Sequence, residues 1–319
     1  MANTLRYNNT IPGNIYYNNA KVQNVYYNNT KVWSASRPFA FTYTGAYETE
    51  GNLEGNFIIR FKTSGTLTIT NHGNTNGLYD VFLVGGGAGG GSGKDGQWTS
   101  HGGCGGYTTT KKKINTNLNT SYSIIIGSGG AKGTVYGSNT EYYGGDGGAS
   151  SGLGNTANGA TVCKSMSGDK INNYAYVGGY GGSGGGGPAI NRGSDGGSDG
   201  GNGGSDGSDG YTKSTSFTYW LNGKGQGTTT REFGESSGKL YAGGGGGGGY
   251  NYTYSYAGKG GEGGGGKGQG YSRADNTGPF AGTANTGGGG GAGYVEPQGG
   301  CSAYGAEGGS GIVCIRNAR

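Results

Sequence analysis

Apolar positions along this chain cluster at its two ends and thin out between. Phe39-Ala40-Phe41-Thr42-Tyr43 alternates apolar and polar residues, and Phe57-Ile58-Ile59-Arg60-Phe61 and Thr66-Leu67-Thr68-Ile69-Thr70 read as strands. A period of two places successive side chains on opposite faces of a sheet. Tyr79-Asp80-Val81-Phe82-Leu83-Val84 is the most apolar run, and further strands are predicted near Tyr107 to Ile114 and at Ser121 to Ile126. Gly311-Ile312-Val313-Cys314-Ile315-Arg316 predicts a last strand at the C-terminus. Residues 39 to 84 hold 14 of the 40 Leu, Ile, Val and Phe residues, whereas 127 to 310 hold 12. No segment shows a helical period. The pattern predicts an all-β protein with irregular structure and essentially no α-helix.

The first 36 residues carry a repeat of ten. Tyr7-Asn8-Asn9-Thr10, Tyr17-Asn18-Asn19-Ala20 and Tyr27-Asn28-Asn29-Thr30 recur in register, the last unit running on through Lys31 and Val32 to Trp33. Asn tolerates positive φ, so Asn-Asn between two short β-prone runs suits a tight hairpin turn. A small hairpin meander is expected, too short to bury much alone and in need of a partner. We therefore divide the chain into an attachment or oligomerisation module at 1–36 and a glycine-rich domain at 37–319. In the second, strands within 39–84, 107–126 and 311–316 form a base, and 127–310 forms a glycine-rich part with loops.

Glycine changes the picture most: 84 of 319 residues, against about 7% in ordinary proteins. Runs occur at 85–87, 184–187, 243–249, 263–266 and 287–291. Glycine loses the most backbone entropy on ordering, so a single run reads as a flexible linker unless something repays that loss. One solution is a bundle of polyglycine-II helices, with three residues per turn, ~3.1 Å rise and no internal hydrogen bonds. Their N–H and C=O groups must then bond sideways to neighbours. Such a bundle has a backbone interior and needs no large aliphatic core. Because the runs alternate with tyrosine-rich and charged stretches and lie between strong strands, order is the expectation for the set.

The remaining composition excludes several classes. Five prolines and irregular glycine spacing exclude collagen. No apolar run approaches the roughly 20 residues of a membrane-spanning helix. A net charge of +5, with basic residues scattered except at Lys111-Lys112-Lys113, offers no basic face for nucleic acid. The lysine run reads as a solvated strand end. Met1 to Thr10 has no apolar core, so no secretory signal is expected. Cys104, Cys163, Cys301 and Cys314 form no C-x-x-C pair, and Cys314 reads as a small buried hydrophobe. His72 and His101 are the two histidines; His101, three residues before Cys104, reads as a solvent or turn position rather than a metal ligand. The Ser-Asp-Gly stretch of Gly193 to Gly210 fails the calcium-binding nonapeptide template at Ser205 and Gly207. Neither a phosphate-binding loop nor a paired-carboxylate signature is present. We expect no catalysis, no cofactor and no metal.

The candidate chemistry is aromatic. Tyr250, Tyr252, Tyr254 and Tyr256 alternate and share a face if extended, and Trp98, Trp220, Tyr142 and Tyr143 sit in other polar inserts between glycine runs. Tyrosine-rich loops on a rigid scaffold make recognition surfaces of low entropic cost. The alternative is that these rings cap the bundle and shield its backbone bonds.

Several segments together resemble a known family. The strand Tyr79 to Val84 runs into Gly85-Gly86-Gly87-Ala88-Gly89-Gly90-Gly91. Thr228-Thr229-Thr230-Arg231-Glu232-Phe233-Gly234-Glu235 leads to Leu240-Tyr241-Ala242 and seven glycines. Asn285-Thr286 precedes five glycines, and Gly308-Gly309-Ser310-Gly311 opens the terminal strand. In this order they resemble the glycine-rich domain of tail-fibre and minor structural proteins of phages and prophages of Gram-positive, clostridial-type bacteria. The resemblance covers roughly 37 to 319. It implies a β-sandwich base carrying a bundle of polyglycine-II helices, similar to glycine-rich regions of some phage adhesins and of a receptor-tyrosine-kinase ectodomain. It also implies a virion role near the tail tip, assembly in the host cytoplasm, and loops that meet a host-surface receptor or glycan. The expected partners are other tail proteins or further copies of the chain, as a homo-oligomer, without membrane insertion. A self-assembling filament with no receptor is the competing expectation. An ice-binding bundle would need a regular triplet repeat that this chain lacks.

Overall fold

The computed structural model describes residues 15–28, 30–34, 38–92, 101–134, 143–162, 181–186, 227–248, 258–270, 278–293 and 304–319, with the backbone alone at 30–34 and 227–228. Within them lie fourteen strands: β1 (Tyr16–Tyr17), β2 (Ala20–Lys21), β3 (Asn24–Tyr27), β4 (Thr30–Ser34), β5 (Ala40–Tyr43), β6 (Tyr47–Gly51), β7 (Phe57–Phe61), β8 (Gly65–Asn71), β9 (Leu78–Val84), β10 (Thr108–Asn115), β11 (Ser121–Ile124), β12 (Ser150–Gly152), β13 (Asn155–Ala157) and β14 (Ile312–Asn317). Helical structure among the described residues is limited to two short 3₁₀ turns, Gly227–Thr230 and Glu232–Gly234. The fold is all-β.

The N-terminal repeat folds as its turn chemistry demands. β1 pairs with β2 and β3 with β4, each an isolated antiparallel hairpin. Asn18 and Asn19 both take positive φ (48° and 62°), as a two-residue turn matched to strand twist requires. Tyr16, Tyr17, Tyr26 and Tyr27 are exposed on these hairpins. The first repeat unit, at 7–10, lies outside the described residues.

Two sheets form the base. Five strands run β10-β9-β14-β7-β6 and three run β11-β8-β5, all neighbours antiparallel. Alternation along β7, β9 and β14 sends Phe57, Ile59, Phe61, Tyr79, Val81, Leu83, Val313 and Ile315 into one core with Leu67, Ile69 and Ile124. The opposite residues, Ile58, Phe82, Val84, Ile312 and Cys314, pack against Phe233, Tyr241 and Ala242. The central sheet is thus buried on both faces, which is why β9 reads as a continuous apolar run. Cys314 is a buried thiol on the face opposite Val313 and Ile315.

Three features were not legible in the sequence. β6 is an exposed edge of alternating Glu and Thr, a composition that carries no core signal. β12 and β13 close around Leu153-Gly154, both at positive φ (49° and 74°), although Leu is not a turn residue. The lysine run is exposed within the strand predicted there, but nothing in the sequence signals the bulge between Lys111 and Ile114. There Lys113 takes a φ of 57° and its N–H donates to Asp80 Oδ1 at 3.1 Å.

The glycine segments pack as a lattice. Along 85–91 successive N–H groups bond to three different neighbours in turn. Gly85, Ala88 and Gly91 donate to Tyr107, Cys104 and His101; Gly86 and Gly89 donate to Gly148 and Gly145; Gly87 and Gly90 donate to Gly309 and Ala306. The carbonyls serve three further segments: Gly86 accepts from Ala160, Gly87 and Gly90 from Gly130 and Gly133, and Ala88 and Gly91 from Gly290 and Gly293. Segment 85–91 therefore has six neighbours and a three-residue period, the pattern of polyglycine II. Segment 287–293 is surrounded in the same way, by 242–248, 264–270, 278–283, 304–311, 85–92 and 101–107. Glycine is required because a Cβ at Gly86 would lie 1.9 Å from Ser128 O, and one at Gly89 would lie 1.8 Å from Ala131 O.

Candidate functional site

The bundle has two unlike ends, because its segments other than 181–186 reach a sheet or a turn at one end. Val84 leads into 85–92, and segments 101–107 and 304–311 lead down into β10 and β14. At the opposite, distal end the described chain stops at Ser92, Thr134, Gly248, Gly270 and Gly293 and resumes at His101, Tyr143, Gly258, Gly278 and Tyr304. Registers tie these ends together. Gly91 bonds to His101, Gly305 to Gly133, Gly258 to Gly247, Gly268 to Gly258, Gln269 to Ala292 and Gly293 to Gly91. Five exits and five returns thus share one end of a rigid scaffold.

Most sequence-predicted site residues fall between these points. Trp98, Tyr142, Trp220, Tyr250, Tyr252, Tyr254 and Tyr256 lie outside the described residues. Trp98, Tyr142 and the four alternating tyrosines are bracketed in sequence by residues at the distal end. Trp220 is not. It follows Gly186, level with Gly102, but precedes Thr229, whose carbonyl accepts from Thr108 on β10. Tyr143 is described: half-buried, it packs against Ala88, Cys104, Ala160 and Val162. That ring serves to cover the bundle.

His101 corrects an expectation. It is buried within the glycine segments rather than at a solvent position, and burial lowers its pKa to about 4. An imidazolium there would lose its hydration, so the neutral ring is favoured. His72 is also held below its usual value by burial, and its Nδ1 lies 3.0 Å from the Tyr79 hydroxyl. The Ser-Asp-Gly stretch lies outside the described residues. Among the described residues no three His, Cys, Asp or Glu side chains gather as a metal group.

A charged network under the strap 227–242 was missed by sequence reasoning. Arg60 donates through Nε and Nη2 to both Glu232 oxygens at 2.6 Å, and through Nη1 to Glu50. Tyr241 donates its hydroxyl to Glu232 Oε1 at 3.1 Å. Arg316 donates to Asp80 Oδ2 at 3.2 Å and to Glu235 at 2.7 Å, and its guanidinium stacks 4.2 Å from the Phe233 ring centre. The side chains of Arg60, Glu232, Arg316 and Asp80 are at most 10% exposed. The Glu232 bonds hold Arg60 still more firmly protonated, while burial pushes Tyr241 and Cys314 well up. Phe233 turns back at φ 57° to reach this face. An open depression of about 510 Å³ lies beside the network, lined by Glu50, Arg60, Glu235 and Lys239 among others. Its Arg60 and Glu235 are already committed to ion pairs, so the network locks the strap onto the sheet. Sequence places Glu232 and Arg60 in separate segments 172 positions apart, and no local signal joins them.

Asn285 makes a second lock between bundle and base. At φ 58° its Nδ2 donates to the carbonyls of Lys62 and Gly311, joining the bundle to β7 and β14. The motifs that order along the chain made recognisable are therefore junctions between sheet and bundle. A comparison with curated proteins returns no match. A family model described as a glycine-rich domain matches residues 62–318, the span that contains most of the base, the strap, Asn285 and every described glycine segment. The chain belongs to the glycine-rich domain family.

Proposed function

We propose that this is a non-enzymatic tail structural protein or adhesin of a phage, presenting host-binding loops at the tail or fibre tip. One observation carries this reading: five connections of the bundle begin and end at the face opposite the sheets. Trp98, Tyr142 and Tyr250 to Tyr256 lie in sequence between those points. A scaffold whose interior is bonded backbone spends little entropy on holding loop ends in place, which is what a recognition surface requires. The N-terminal hairpins, each with exposed tyrosines and, among the described residues, pairing only within itself, serve attachment or oligomerisation.

Replacing Tyr252 and Tyr254 by Ala should weaken adsorption of purified protein to host cells at least tenfold with an unchanged melting temperature. Full adsorption by the folded variant would remove these residues from the site. Deleting residues 1–36 should leave a folded domain that no longer assembles, and normal assembly would refute the attachment role. Immunogold labelling of purified virions tests the location: label at the tail tip is expected, and unlabelled particles would overturn the reading.

A further inference from the structure

A lattice in which each segment bonds to six others has no intrinsic stopping point. Any segment with fewer neighbours presents free N–H and C=O groups and is a template for another, as an edge strand is in a sheet. Among the described residues, segments 127–134, 278–284 and 304–311 are such outer members. Yet among the described residues of the glycine segments no glycine is exposed, and every exposed position carries a side chain. On these three segments the exposed residues include Ala131, Lys132, Ala281, Tyr304 and Glu307. Ala281 and Ala284 recur after three residues, as do Tyr304 and Glu307, so the same face is marked on each turn.

We infer that these outward side chains end the bundle laterally and prevent a second copy of this chain from extending it. The interior shows why one Cβ per turn suffices. At Gly103, Gly289 and Gly308 a Cβ would sit 2.0, 1.9 and 2.1 Å from a neighbouring carbonyl oxygen. A Cβ at an outward position occupies the corresponding place, where the carbonyl of an added segment would have to lie. Restoring ordinary contact holds that segment off by more than about 1 Å, and its hydrogen bonds then exceed the 2.7–3.2 Å range in which they form. Lys132 and Glu307 add charges that an incoming backbone would have to desolvate. Glycine placement thus encodes both where the lattice forms and where it stops, leaving association to other surfaces.

The test is a full-length variant, S128G/A131G/K132G/A281G/A284G/Y304G/E307G, which clears the marked faces of three adjacent segments. Its weight-average mass in analytical ultracentrifugation should at least double relative to the native protein at equal concentration, with new amide protection at positions 129, 131 and 132. An unchanged mass, with protection of 85–92 retained, would overturn the inference. A companion, A131S/K132T/A281S/A284S/Y304S/E307T, keeps each Cβ while removing both charges and should keep the native mass; association of this variant would also overturn it. If the glycine variant does not fold, native protein titrated with pentaglycine decides. No amide shifts are expected at 128–132 or 304–310, and saturable shifts there would refute the proposal.

Discussion

Gly103→Ala isolates the packing requirement from the backbone requirement. Gly103 is not at positive φ, so alanine can adopt its conformation, but the new Cβ would lie 2.0 Å from Ala88 O and 2.7 Å from Ala88 C. Reaching ordinary contact moves segment 101–107 away from 85–92 by more than about 1 Å. That stretches Gly85 to Tyr107, Ala88 to Cys104 and Gly91 to His101, now 2.9, 2.8 and 2.9 Å, beyond bonding distance. Three lost bonds at about 1 kcal/mol net each, with some buried groups left unpaired, give a loss of about 3–5 kcal/mol. Reduced entropy of the unfolded chain returns only about 0.4–1 kcal/mol. Gly55 is the control: a Cβ there meets nothing within 4 Å, so Gly55→Ala should be neutral or slightly stabilising. Urea denaturation followed by tyrosine fluorescence and amide exchange measures both. A Gly103→Ala loss below about 1 kcal/mol, matching Gly55→Ala, would refute a bundle held by close backbone approach.

Other expectations follow from the buried polar groups. Glu232→Gln leaves Arg60 without its buried counter-charge and should cost about 3 kcal/mol, lowering the melting temperature by roughly 6–12 °C; Arg60→Met with Glu232→Leu should recover most of it. A pH series tests His101, whose folded pKa of about 4 lies below its unfolded value near 6.5. The unfolded chain then binds the extra proton, so stability should fall as pH drops from about 6.5 towards 4, and His101→Asn should flatten that difference. Cys104 and Cys314 are buried, so native protein exposed to a maleimide should remain unmodified at both until denaturant is added, as peptide mapping would report.

Hydrophobic patterning determined the sheet strands here, since β8 alternates and β7, β9 and β14 are short apolar runs, both visible locally. Asn18-Asn19 determined its hairpin because positive φ is a property of the residue itself. Glycine content likewise implied lateral bonding, because backbone groups without side-chain cover have few other partners. What only the tertiary structure decided is which segments touch. Every glycine looks alike in sequence, so the ring of six neighbours around 85–91 and the common end of the five connections are set by registers between segments far apart in the chain. The Arg60–Glu232 and Arg316–Asp80 pairs are of the same kind: charges on the outer face of the central sheet acquire meaning only once the strap 227–242 closes over them. Local chemistry acts through neighbours in sequence, whereas a bundle with a backbone interior is assembled almost wholly from contacts between segments distant in the chain.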